Sequence, residues 1–109
     1  MSRAKGNDAE ELACQLLQEQ GFVILDRNVY SRFGEIDIIA RKEHLWHFIE
    51  VKSAQDYERA IQNVTPKKIG RILKTVDVYM KKHALDVVFS IDVAIVTPDG
   101  VELLENITF

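Results

Sequence analysis

Two apolar runs separated by a short polar stretch mark the middle of the chain. Ile36, Ile38, Ile39 and Ala40 form the first, and Leu45, Trp46, Phe48, Ile49 and Val51 the second. Both are rich in β-branched and aromatic residues, and the polar Arg41–His44 segment between them suits a turn, so the pattern predicts a β-hairpin. A turn centred between Glu43 and His44 sets facing residues so that their numbers sum to 87. Asp37 then lies opposite Glu50, and Glu35 opposite Lys52. Strict alternation puts Glu35 and Asp37 on one face of their strand, and Glu50 and Lys52 on one face of theirs.

Elsewhere the periodicity changes. Ala9, Leu12, Ala13, Leu16 and Leu17 fall on one stripe at 100° per residue, predicting a helix from Asn7 or Asp8 to a stop at Gly21. Residues 1–6 read as a loose arm. Phe22–Leu25 is a short continuous apolar run, expected as a buried strand, and Asp26–Gly34 as a polar connection into the hairpin. Ser53–Asn63 has no clear period and fits a loop, an irregular helical turn or a lid equally. Thr65-Pro66 opens a second helix, with threonine as N-cap and proline at the first helical position, and Ile69, Ile72, Leu73, Val76 and Met80 as its apolar stripe. Val87–Val96 reads as a central strand, Thr97-Pro98-Asp99-Gly100 as a turn, and Val101–Ile107 as a returning edge strand.

Composition limits the function classes. A chain of 109 residues is one domain, 1–109, with 47% hydrophobic and 28% charged residues, ordinary for a soluble globular protein. Its one cysteine, Cys14, excludes an internal disulfide and fits a reducing cytoplasm. The N-terminus lacks a signal-like apolar stretch, and no run is long enough to span a membrane. A net charge of −3 argues against a strongly electrostatic nucleic-acid binder. Locally the balance reverses: Lys67, Arg71 and Lys74 recur at helical spacing, with Lys68, Lys81 and Lys82 close by. A phosphate backbone can lie along such a row, and Arg27 and Arg32 near one end of the sheet could add to it. The plain alternative for all of these is a solvated surface.

Two carboxylates facing each other beside apolar residues repel unless a proton or cation intervenes. Asp37 and Glu50, with Lys52 two residues on, match what a hard ion such as Mg²⁺ and a phosphate group accept. Glu10, at the edge of the first helix's apolar stripe, is the acid able to reach the sheet as a further ligand. Asn7-x-x-Glu10 also fits a capping box, which needs no chemistry. A half-buried salt-bridge cluster that fixes strand register is the alternative for the whole group. Asp92, inside the most apolar strand, needs a partner; a basic helix residue or the metal site would provide one. His44, His47 and His83 show no zinc spacing and read as incidental.

The pattern D-x12-E-x-K resembles the PD-(D/E)xK signature of restriction-endonuclease-like proteins, with Ile36 in the place of the proline. The order helix, three strands, helix, strand resembles that fold's αβββαβ core, an α/β class with a central mixed sheet flanked by helices. More closely, Glu10 followed by Ala13, Asn28, GEIDIIA at 34–40, IEVK at 49–52, Lys68 with Arg71, and the Asp92 strand resemble the YraN family of small bacterial proteins. That family is similar to archaeal Holliday-junction resolvases. Three positions depart from its pattern: Ala9 for a glycine, and Ala54 and Ser90 for arginines.

The resemblance implies a metal-dependent nuclease. Glu10, Asp37 and Glu50 would hold Mg²⁺ or Mn²⁺. Asp37, Glu50 and Lys52 would be catalytic, with Lys52 acting on the attacking water. Arg32, Lys67, Lys68, Arg71 and Lys74 are the candidate nucleic-acid contacts, with DNA ahead of RNA as substrate. A homodimer follows by analogy only. Two rivals stand beside this expectation: a non-catalytic nucleic-acid-binding module of the same fold, and a protein-interaction scaffold.

Overall fold

The structure, a computed structural model, describes residues 2–107, and side chains from residue 8 onward. Its elements run α1 (Ser2–Glu19), β1 (Val23–Ser31), β2 (Gly34–Lys42), β3 (Leu45–Ser53), α2 (Tyr57–Gln62), α3 (Pro66–Lys82), β4 (Phe89–Thr97) and β5 (Gly100–Leu104). The five strands form one sheet in the order β1-β2-β3-β4-β5. Three pairings are antiparallel, while β3 and β4 run parallel, joined by the α2–α3 crossover. It is an α/β fold with a mixed sheet between helices.

Residues on the two faces of the sheet explain the layers. Ala13, Cys14 and Leu17 of α1, with Phe22, pack on Ile38, Ala40, Ile49 and Ala94. Ile69, Ile72, Val76 and Tyr79 of α3 pack on Ile36, Ile39, Phe48 and Ile91. Ala60 of α2 meets Val93 and Ile95. Ile36, Ile38, Ile39 and Ile49 are fully buried, and each such side chain contributes roughly 1.5–3 kcal/mol. A one-residue slip of β2 would turn these isoleucines away from their partners, so burial itself fixes the register.

The hairpin register is the one the apolar runs predict: Ile38 pairs with Ile49, and Lys42 with Leu45 across Glu43-His44. Thr65 caps α3, its side chain accepting from Lys68 N, with Pro66 in the first turn. Ser53–Asn63 resolves into a bend and α2, capped by Asp56 accepting from Arg59 N at 2.8 Å.

Other expectations are corrected. α1 begins at Ser2, so residues 2–6 are helical, and residue 7 is inside the helix and cannot be its N-cap; the Asn7 side chain is outside the described residues. Ala4 and Lys5 are good helix formers, and the cost of Gly6, about 1 kcal/mol, does not stop a helix already nucleated. β1 is an edge strand running through Asp26–Asn28, with Val23 and Leu25 well exposed. Its polar centre is tolerated because those side chains find partners on both helices. The apolar stripes are also rotated: Leu12 and Leu73 are exposed, while Cys14, Thr75 and Tyr79 are buried. No described helix is long and apolar enough to cross a membrane.

Candidate functional site

The β2–β3 ladder stops at Ile38↔Ile49. Continued in register, it would offer the Val51 N–H a backbone carbonyl of β2. Instead Asp37 Oδ2 accepts that N–H at 2.7 Å. The two strands part here, and a carboxylate sits in the opening. Alternation in β2 breaks at the same point, because Ile36 and Ile39 pack toward α3 while Ile38 and Ala40 pack toward α1. β1 breaks opposite it. Asp26 lies near Tyr79 of α3, Arg27 and Asn28 both reach α1, and Val29 returns to the α3 side. Asn28 makes this possible with φ 53°, a left-handed conformation that asparagine tolerates better than most residues.

Glu10 enters from α1 and is 8% exposed. With its amide nitrogen turned toward α1, Asn28 lies 3.2 Å from both Glu10 oxygens. Arg27 bonds Glu11 at 2.9 Å and stands 3.8 Å from Glu10. Glu10 is thus held from the β1 side, a role the sequence reading did not give to Arg27 or Asn28. Two adjacent polar residues inside an otherwise half-apolar strand were the available signal.

On β3, Ile49 and Val51 pack toward α1 and Phe48 toward α3. Glu50 and Lys52 follow the Phe48 face by alternation. Lys52 Nζ bonds Glu50 Oε1 at 2.8 Å. Asp37 and Glu50 are therefore neighbours at the strand opening rather than ladder partners. The charge there is poorly compensated. Burial, opposed by the Val51 hydrogen bond and reinforced by Glu35, Glu10 and Glu50, pushes the Asp37 carboxyl up from 3.8 to about 7.

An all-carboxylate donor set is the chemistry of a hard divalent cation, and three acids that each raise the Asp37 pKa are groups a cation would relieve. Among the described residues, however, no three His, Cys, Asp or Glu side chains converge closely enough to hold an ion as they stand. Donor type and charge suit such an ion; the spacing as it stands does not.

The candidate cationic contacts lie on α3 and at the β1–β2 turn. Lys67, Arg71 and Lys74 are exposed on α3 and Lys68 is half-buried, and none of the four pairs with a described acid. Arg32 is at the β1–β2 turn, where its guanidinium carbon is 4.8 Å from the Phe33 ring centre and Lys74 Nζ is 5.4 Å from it. Gly34 meets Arg71 at that turn. Arg32, Arg71 and Lys74 thus gather where the β1–β2 turn meets the middle of α3, and Lys67 and Lys68 lie in its first turn.

Asp92 pairs neither with a helix residue nor with the carboxylate group. It is fully buried, and His47 Nδ1 on neighbouring β3 meets its Oδ2 at 2.5 Å. Ser90 Oγ donates to Oδ1 at 2.9 Å, and Asn106 N donates there at 2.8 Å. His47, expected to be incidental, is this aspartate's partner. Ser90, standing where an arginine was expected, completes the buried network.

Comparison with known proteins adds the family. The profile described as "Uncharacterised protein family UPF0102" matches residues 9–96. A UPF0102 protein of Sulfurimonas denitrificans is 60% identical over 108 residues, covering 99% of each chain. One from Aliarcobacter butzleri is 50% identical over 109 residues, again 99% of each. One from Helicobacter pylori is 48% identical over 107 residues, 98% of this chain and 93% of that one. The match spans α1 through β4 and so includes the strand opening with its four acids; the chain belongs to the UPF0102 family.

Proposed function

We propose that this protein is a divalent-metal-dependent nuclease that hydrolyses DNA phosphodiesters, branched or damaged DNA included, in the cytoplasm. The observation that carries the reading is Asp37: a nearly buried carboxyl at a parting of two strands, raised to about 7 by burial and by three neighbouring acids. Glu10, Asp37 and Glu50 supply the oxygens for Mg²⁺ or Mn²⁺. The ion, when bound, supplies Lewis-acid polarisation of the phosphate and a water of lowered pKa. Lys52 sets a cation beside the acids, suited to orienting the attacking water or to the charge that builds on phosphate oxygens. Asn28 and Arg27 hold Glu10 in place, and the Val51 N–H holds Asp37. The α3 cations and Arg32 would contact the DNA backbone. Cutting two strands would call for a second copy of the chain.

The test is cleavage of linear, nicked, flapped and four-way DNA with Mg²⁺ or Mn²⁺, alongside Asp37→Asn and Lys52→Ala. Metal-dependent cleavage lost in both variants supports the reading; no cleavage, or cleavage indifferent to both, overturns it.

A second reading is favoured by the spacing of the acids and by the pairing of Lys52 with Glu50. It is a nucleic-acid-binding module of the same fold without catalysis. It expects salt-sensitive binding that survives Asp37→Asn and Glu50→Gln, with no cleavage in any metal.

A further inference from the structure

The β1–β2 turn does something the carboxylate site does not explain. Ser31 pairs with Gly34, leaving Arg32 and Phe33 at the tip. The tip is pinned to α3 rather than left loose: Ser31 Oγ and Thr75 Oγ1 are 2.8 Å apart, and the Phe33 N–H donates to Ser31 Oγ at 3.0 Å. Thr75 Oγ1 in turn donates to the Arg71 carbonyl. This anchoring holds an aromatic ring with a guanidinium 4.8 Å and an ammonium 5.4 Å from its centre, and Arg71 beside the adjacent Gly34. Phe33 is only half-buried, and Tyr30, just before the turn, is 69% exposed.

A ring of this kind contributes nothing to a purely electrostatic phosphate surface. Ring and cations together match a nucleotide, whose base stacks on an aromatic face while its phosphate meets lysine or arginine. A base buried within a duplex has no free face to offer. Asp37 lies four residues along β2 from Phe33, about 13 Å at ~3.3 Å per residue, a span of a few nucleotides. We infer that Phe33, flanked by Arg32 and Lys74, is a stacking platform for an unpaired nucleotide, which makes the preferred ligand a nucleic acid carrying a single-stranded segment. The inference rests on the nucleic-acid reading of the previous subsection.

Its test is binding, measured by fluorescence anisotropy at low salt without divalent metal. The probes are a labelled single-stranded DNA, the same sequence as RNA, and the DNA duplex. Phe33→Leu should weaken both single-stranded probes about 5- to 150-fold, the worth of one base–aromatic stack, and leave the duplex nearly unchanged. Phe33→Trp should keep the affinity, and its added emission over the wild-type Trp46 background should be quenched by single strands. Circular dichroism of both variants checks the fold. Equal losses on single strand and duplex, or no loss on either, overturn the platform while leaving nucleic-acid binding intact. Failure of the wild-type protein to bind any probe overturns both.

Discussion

Asp37 Oδ2 accepts the Val51 N–H at 2.7 Å in the gap where β2 and β3 part. The hydrogen bond favours the charged carboxylate, yet burial and three acids outweigh it. The folded chain therefore holds a proton that the unfolded chain has released between 3.8 and about 7. This group's contribution to stability falls as pH rises through that window and levels off above it. Asp37→Asn keeps an oxygen for Val51 and removes the charge. Its stability relative to wild type should grow from pH 4 to pH 8 by on the order of a few kcal/mol, read from urea denaturation. A difference that does not change with pH would contradict the placement of this carboxyl.

Lys52→Ala separates chemistry from binding. If Lys52 steadies the charge on the reacting phosphate, cleavage should fall roughly 10²-fold or more while DNA affinity changes little. Chelation of divalent metal should abolish cleavage outright and spare low-salt binding. Single-turnover rates and anisotropy on the same preparations give both readouts.

Asn28 combines a left-handed backbone with an amide on Glu10. Asn28→Gly accepts the same φ and removes only the amide. Folding stability should hold, while Mn²⁺ affinity falls about 10- to 100-fold, as when a ligand loses its supporting hydrogen bond. Asn28→Ala should lose about 1–2 kcal/mol as well, because its Cβ strains that backbone. Manganese titration followed by electron paramagnetic resonance, with melting curves, distinguishes them.

The buried pair His47–Asp92 has structural consequences. His47→Ala leaves a fully buried carboxylate with two remaining donors, from Ser90 and Asn106. A loss of about 3 kcal/mol or more is expected in urea denaturation. A loss below about 1 kcal/mol would mean that the pair contributes little.

If Lys67 and Lys74 meet the phosphate backbone, Lys67→Ala and Lys74→Ala each remove one contact. Each should lower the dependence of log affinity on log salt by about 1, uniformly across DNA sequences. An unchanged slope would assign these lysines to solvent.

Much of the fold was legible because local chemistry determines it. The isoleucines around Asp37 and the polar Arg41–His44 segment fix the β2–β3 register, and Thr65-Pro66 fixes the start of α3. What was not legible depends on partners distant in sequence. The second part of β1, from Asp26, reads as a polar connection because Arg27 and Asn28 look solvated until α1 supplies Glu10 and Glu11. His47 reads as incidental because the parallel β3–β4 pairing that carries it to Asp92 spans an intervening crossover. At the candidate site, the hairpin register set Asp37 directly opposite Glu50, but the ladder ends at Ile38↔Ile49, one pair short of that. The break in alternation at Asp37 was not legible, since it arises jointly with Asn28 on the next strand.

The irregular course of β1 bears on how copies of this protein can meet. A nine-residue edge strand with exposed Val23 and Leu25 is an inviting template for another chain. Here its ladder shifts between Ile24 and Asp26, and the left-handed Asn28 turns the backbone again three residues later. An incoming strand would find no long uninterrupted row of donors and acceptors to zip against. The distortion that presents an amide to Glu10 thus also guards the sheet against edge-to-edge polymerisation, and straightening β1 would surrender both at once.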